Sequence, residues 1–270
     1  MNDTHQSESP DRQSEDPDED RTRKDERTVS ENAPSSTQST QTPEQAEETL
    51  YWAVWSVYAR DHGRTALTAA EEAPAVEEFD ALVAALAEEG VIVRGTYDVS
   101  GQRNDADVML WLHGDDPQAL QSALRRVRRT ALMAGTHQVW SSMGVHRDAE
   151  FTRNHLPSFA RGVAPEKWMC VYPFVRSYDW YYMDDEHRSK ILRDHGMKGR
   201  DYPQVLANTI ACFGLNDYEW LLGLEAPELV DLVDLMRHFR NTEARLYVRE
   251  ETPFYTGRRV ETAELLEVLR

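Results

Sequence analysis

Asn104-Asp105-Ala106-Asp107-Val108-Met109-Leu110-Trp111-Leu112, running on to Thr130, returns 112 positions later as Asn216-Asp217-Tyr218-Glu219-Trp220-Leu221-Leu222-Gly223-Leu224, running on to Thr242. The two stretches align over 27 positions without a gap and share 8 identities, among them Leu110 with Leu222, Leu120 with Leu232, Arg125 with Arg237, Arg128 with Arg240 and Thr130 with Thr242. Self-similarity at a fixed offset is the mark of duplicated structure, although helical patterning alone supplies part of such a match.

Outward from this repeat, each copy reads as the same unit. In the first, the aromatic and β-branched run 51–58 predicts a strand. Val76, Phe79, Val83 and Leu86 keep one apolar face and predict a helix over 74–89, stopped by Gly90. Strands over 91–93 and 108–112, a helix over 117–133 and a strand over 137–145 complete a βαββαβ order, that of a ferredoxin-like unit. In the second copy strands are expected over 168–178, 209–213, 218–224 and 244–249, with helices over 184–195 and 227–240. The fold class is therefore α+β, with two βαββαβ halves at 49–150 and 151–270. Their sheets can lie together with helices outside and a pocket inside, lined by the connecting segment 147–167.

The chain of 270 residues carries 30 Lys and Arg against 48 Asp and Glu, a net charge of −18. Residues 1–48 hold 14 acids and 5 bases and almost no apolar side chain. Such a stretch cannot offset its ordering entropy by burial and is expected to be a disordered acidic tail. A strongly negative field repels phosphate, so nucleic acid is not expected as a partner. The longest apolar run, Ala81 to Ala87, is far short of the roughly 20 residues of a membrane helix. The N-terminus shows no basic-then-apolar signal. Cys170 and Cys212 make neither a disulfide framework nor a four-ligand zinc site. A cytoplasmic protein is the resulting expectation. No Gly-rich phosphate loop, HExxH or Gly-x-Ser-x-Gly motif is present.

Side chains alternate along a strand, so over 168–178 Trp168, Cys170, Tyr172, Phe174, Arg176 and Tyr178 share one face. An Arg on an aromatic face fits a flat anionic ligand; a surface Arg on a half-exposed strand is the plainer reading. Pro173 points to an edge or an irregularity. His187, Ile191 and His195 form one helical stripe, with the two histidines roughly 12 Å apart, too far to share a metal. His195 stands before Gly196, where a histidine is an ordinary helix cap. His155 lies in the connecting segment.

These segments together resemble the coproheme decarboxylases of the chlorite dismutase-like superfamily, in their actinobacterial form. The resemblance covers about residues 50–270. It rests on Trp140-Ser141-Ser142-Met143-Gly144-Val145-His146-Arg147, Glu150-Phe151, His155-Leu156-Pro157, Val171-Tyr172-Pro173-Phe174-Val175-Arg176-Ser177-Tyr178-Asp179-Trp180-Tyr181, Asp194-His195-Gly196, Asp217-Tyr218-Glu219-Trp220 and Thr242-Glu243-Ala244-Arg245-Leu246.

The resemblance implies a dimeric α+β barrel of two ferredoxin-like repeats per chain, five chains in a ring, and a heme site in the C-terminal half. The implied reaction uses hydrogen peroxide to convert two propionates of iron coproporphyrin III (coproheme) to vinyls, giving heme b through a three-propionate intermediate with loss of two CO₂. His195 matches the proximal iron ligand, Tyr172 the radical-forming tyrosine and His155 the distal base. Arg176 and Arg245 match positions near the propionates, and Trp180 a pocket tryptophan. Ala244 stands where chlorite dismutases carry a distal arginine. Along a strand Arg245 would face away from it, which argues against chlorite dismutation. The alternatives are a heme carrier or sensor, which has no use for a pocket tyrosine, a chlorite dismutase-like heme enzyme, and a barrel that binds no tetrapyrrole.

Overall fold

The computed structural model of the protein describes residues 50–147 and 156–270. The expected acidic tail and His155 lie outside these residues. Residues 47–270 make one compact unit.

In the first half the chain runs β1 (Trp52–Arg60), α1 (Ala69–Glu88), β2 (Ile92–Asp98), β3 (Val108–Gly114), α2 (Pro117–Val127) and β4 (Thr136–Val145). The second half runs β5 (Trp168–Arg176), α3 (Tyr178–Tyr182), α4 (Asp185–Gly199), β6 (Leu206–Ala211), β7 (Trp220–Ala226), α5 (Leu229–Phe239), a 3-10 turn (Glu243–Tyr247), β8 (Val248–Glu250), β9 (Tyr255–Val260) and α6 (Thr262–Val268). The repeat is visible in the bounds: β3 and β7, and α2 and α5, are displaced by 112 residues at both ends. The capping repeats too. Thr130 Oγ1 donates to the Val127 carbonyl and Thr242 Oγ1 to that of Phe239, each at 2.8 Å.

All named strands pair antiparallel in the order β7-β6-β4-β1-β3-β2-β9-β5-β8, and β5 also pairs with β7, closing the sheet. The halves meet at unequal joints. β2 and β9 share three residue pairs, and β4 pairs with β6 in one, Val145 with Ala211. A Cβ on Gly144 would meet the Ala211 carbonyl oxygen at 2.7 Å, so only glycine lets the strands approach here.

One apolar cluster takes alternate residues from nearly every strand: Trp55 and Val57, Tyr97, Met109 and Trp111, Met169 and Val171, Ile210, Leu221 and Tyr255. Such a set is the interior of a closed barrel, and it is filled. The other face of the first half carries Val54, Tyr58, Leu110 and Leu112 under α1, α2 and α6. The expectation of a pocket between the sheets is thereby corrected, because large side chains, with Trp55 stacked on Trp111 at 4.8 Å, occupy that space. The described end of the connecting segment also packs inward. Phe159 meets Trp111 edge-on at 5.8 Å, and the Ser158 hydroxyl donates to Asn208 at 2.6 Å.

Other boundaries also differ from the sequence expectation, among them the end of α2 at Val127 in place of 133 and three at residues singled out above. The strand expected over 168–178 ends at Arg176, and Tyr178 opens α3, exposed and off the Tyr172 face. The helix expected over 184–195 continues through Gly196, which costs about 1 kcal/mol relative to alanine, so His195 is an interior helical residue and not a cap. The strand expected over 244–249 is the 3-10 turn followed by the short β8. There the burial of Ala244 against Trp180 and Ile191 overrides the alternating pattern.

Candidate active site

A cavity of about 310 Å³ lies on the outer face of the second half, between β5 and β7 on one side and α4 and α5 on the other. Tyr172, Phe174 and Arg176 reach it from alternate positions of β5. Pro173 sits at a local edge of β5, as expected, close to a register shift between Val175 and Arg176. It falls between the pairing of β9, which ends at Val171, and that of β8, which begins at Val175, so its missing N–H leaves no gap in either ladder.

His195 reaches the cavity from α4, whose start is fixed by Asp184 Oδ1 accepting the His187 N–H at 2.9 Å. Of the stripe, Ile191 is buried and His187 turns outward to Glu243 at 2.8 Å. The His195 ring lies on Phe239, with centroids 4.1 Å apart. Its Nδ1 stands 3.3 Å from Thr242 Oγ1. That hydroxyl already gives its proton to the Phe239 carbonyl, so it accepts from Nδ1–H, and the lone pair is left on Nε2. Burial pushes the imidazole down to about 4, so it is neutral at pH 7. A neutral imidazole with one nitrogen tied back is the form that ligates a metal.

Arg176 lies over the Trp180 ring at 4.1 Å and the Phe174 ring at 5.0 Å, with Nη1 3.5 Å from the Ala244 carbonyl. Burial lowers it to about 10, so the guanidinium keeps its charge at neutral pH. Arg240 binds Glu251 at 2.6 Å, and Arg245 stands 3.6 Å from the same carboxylate. Three guanidinium groups against one carboxylate make the cavity positive inside an acidic chain. Tyr172 is 4% exposed. It stacks on Phe254 at 4.5 Å, and its hydroxyl donates to Met236 Sδ at 3.6 Å. Burial raises its pKa, so it remains a phenol.

The structure thus brings Tyr172, Arg176, Trp180, His195, Ala244 and Arg245 to one cavity. His155 is outside the described residues. Arg245 does not turn away from Ala244 as strand alternation requires, because the 3-10 turn carries both to the cavity wall. Sequence reasoning missed Met236, Phe239, Arg240, Thr242 and Glu251. Arg240 and Thr242 were already visible as identities of the repeat, a signal of duplication that carried no hint of a site. Aromatic and aliphatic walls, a buried neutral imidazole and peripheral arginines fit a flat apolar ligand with an anionic rim and a metal centre.

Residues 72–260 match the family model described as Chlorite dismutase. The chain is 46% identical over 222 residues to a coproheme decarboxylase of Mycolicibacterium smegmatis, covering 82% of this chain and 95% of that protein. It is 26% identical over 177 residues to a coproheme decarboxylase of Staphylococcus carnosus, covering 60% of this chain and 70% of that protein. Among solved structures, a chlorite dismutase from Candidatus Nitrospira defluvii in complex with imidazole superposes with a TM-score of 0.71 at 20% identity, covering 83% of this chain and 97% of that one. That likeness is one of fold.

Proposed function

The chain belongs to the chlorite dismutase family, and from that membership we infer that it is a coproheme decarboxylase of heme biosynthesis, with coproheme as both substrate and cofactor. Identity to the Mycolicibacterium smegmatis enzyme along almost that protein's whole length carries the reading. The cavity supports it, by grouping an imidazole, a buried phenol and three arginines within apolar walls.

In this proposal His195 holds the iron through Nε2, with Thr242 fixing the ring from behind. Arg176 and Arg245 bind propionate carboxylates, and Trp180 backs the guanidinium of Arg176. Bound there, the iron porphyrin with hydrogen peroxide supplies the oxidising power. Each propionate that becomes a vinyl releases CO₂, one proton and two electrons, and those electrons reduce one peroxide to water. Tyr172 takes the β-hydrogen as a phenoxyl radical. Its buried ring shares a strand face with Arg176, so the group that binds a propionate and the group that attacks it sit side by side. His155 is proposed as the base for peroxide. A carrier or sensor would leave the buried Tyr172 without a use.

The heme site belongs to the half 151–270, and the protein acts in the cytoplasm as a homopentamer. The exposed Tyr178, Tyr182 and Leu246 around the site support an assembly surface. No described helix is long and apolar enough to cross a membrane.

The test is to load the full chain with iron coproporphyrin III, titrate with hydrogen peroxide and follow the tetrapyrroles by mass spectrometry. Stepwise loss of two CO₂ is expected. Peroxide consumption with all four propionates retained would remove the function.

A further inference from the structure

We propose that Tyr181 and Glu219 form a second redox-active site at the mouth of the cavity, a phenol–carboxylate pair through which oxidising equivalents leave the pocket for solution. Tyr181 lines the cavity beside Arg176 and is 39% exposed. Its hydroxyl donates to Glu219 Oε2 at 2.6 Å. The same oxygen accepts the backbone N–H of Arg176 at 2.7 Å, which holds the carboxylate at the end of β5.

The chemistry follows from where the proton can go. A phenol that loses an electron becomes strongly acidic, and its oxidation is easiest when a base already holds the hydrogen bond. Glu219 meets that need within the distance of direct proton transfer, and the O–H···O⁻ contact is of the short, charge-assisted kind. Tyr172 lacks such a base, since its hydroxyl faces the thioether of Met236, a weak acceptor. Tyr178 accepts from Arg249, and Tyr202 donates to the Asp234 carbonyl. Among the described residues, Tyr181 is the tyrosine whose hydroxyl meets a carboxylate.

The two tyrosines therefore divide the work. Tyr172 is enclosed, and its radical persists only long enough to meet a propionate. Tyr181 is easier to oxidise and open to solvent. On oxidation the Tyr181 hydroxyl and the Glu219 carboxylate become a phenoxyl radical and a carboxylic acid. The electron passes to the oxidant in the cavity, which in the working enzyme is peroxide acting through the bound iron porphyrin. A solution thiol or ascorbate then returns one electron, and Glu219 returns the proton. The site discharges peroxide equivalents that find no propionate to attack. Its supply of oxidant rests on the peroxide reading above; the pair's own redox chemistry does not.

Two arms separate these dependencies. In the first, the full chain without tetrapyrrole is oxidised by photogenerated ruthenium(III) tris-bipyridine, and radicals are freeze-trapped for electron paramagnetic resonance. Tyr181→Phe should remove more than half of the tyrosyl signal. Glu219→Gln, which keeps an acceptor for the Arg176 N–H but not a base, should lower the signal to the same extent, and the slower oxidation of wild type in D₂O should vanish in that variant. In the second arm, chain loaded with protoheme is challenged with hydrogen peroxide. There Tyr181→Phe should lose its tyrosyl signal and bleach its porphyrin after fewer equivalents of peroxide. Wild-type signals from Tyr181→Phe in the first arm would overturn the proposal. Success in the first arm with no reaction of any loaded protein in the second would leave the pair standing and remove peroxide as its oxidant.

Discussion

The two nitrogens of His195 have different tasks: Nδ1 is tied to Thr242 and Nε2 remains free to bind. Losing a partner behind a metal-binding histidine costs roughly 10–100-fold in affinity, so deleting the imidazole costs more. His195→Ala should therefore weaken binding of iron coproporphyrin III by more than about a hundredfold, read from the absorption spectrum on titration. An unchanged spectrum would exclude it as the ligand. Tyr172→Phe keeps the ring on Phe254 and removes one weak hydrogen bond, a change of about 0.5–1.5 kcal/mol in stability. The variant should bind substrate and consume peroxide but form the three-propionate product at least about a hundredfold more slowly, a barrier higher by about 2.7 kcal/mol. Chromatography of the tetrapyrroles checks this, and wild-type yield would transfer the radical role elsewhere. Tyr172 and Arg176 were legible because strand alternation needs only local sequence. Glu251 and Met236 were not, because an acid and a methionine look alike in sequence whether they face a cavity or solvent.

Among the elements, the β4–β6 contact is the thinnest in the barrel. Gly144→Ala puts a methyl 2.7 Å from the Ala211 carbonyl and 2.9 Å from Ile210. That overpacking should cost roughly 1–3 kcal/mol, measured as a lower urea midpoint with an unchanged slope. Wild-type stability would show that the strands separate freely. Most elements could be read from periodicity. α1 begins before the expected 74 because Glu71 accepts the Thr68 N–H at 2.8 Å, a local cap that starts the helix ahead of its apolar stripe. β9 went unread because Gly257, Arg258 and Arg259 dilute its apolar signal. The segment Ala244 to Arg249 alternates like a strand, yet packing against α4 makes most of it a 3-10 turn.

On the scale of the molecule, one buried network ties the halves to the segment between them. Arg94 of β2 meets Glu225 of β7 at 2.8 Å, with side chains 4% and 0% exposed. Glu225 also accepts from Asn208 at 3.0 Å and from the Glu166 N–H at 3.2 Å, and Arg94 donates to the Val163 carbonyl at 2.8 Å. Glu225→Gln leaves the guanidinium buried without its counter-charge and should destabilise by about 3–5 kcal/mol, checked by urea unfolding; a loss under about 1 kcal/mol would mean that water reaches the site. The sequence pattern showed that there are two repeats but not which sheet face turns inward, since both faces are apolar and only the closed sheet separates them. The unequal joints carry a kinetic consequence. Within each half the strands are bound by long ladders, seven residue pairs between β1 and β3 and nine between β1 and β4, whereas the halves meet through three pairs and one, so closing the barrel gains little until both halves are in place. The halves should therefore assemble early and the barrel close late. In the native protein the order reverses, and the Val145 and Ala211 amides should exchange with deuterium well before those of β1 and β3. Equal protection at both places would mean that the barrel opens only by unfolding as a whole.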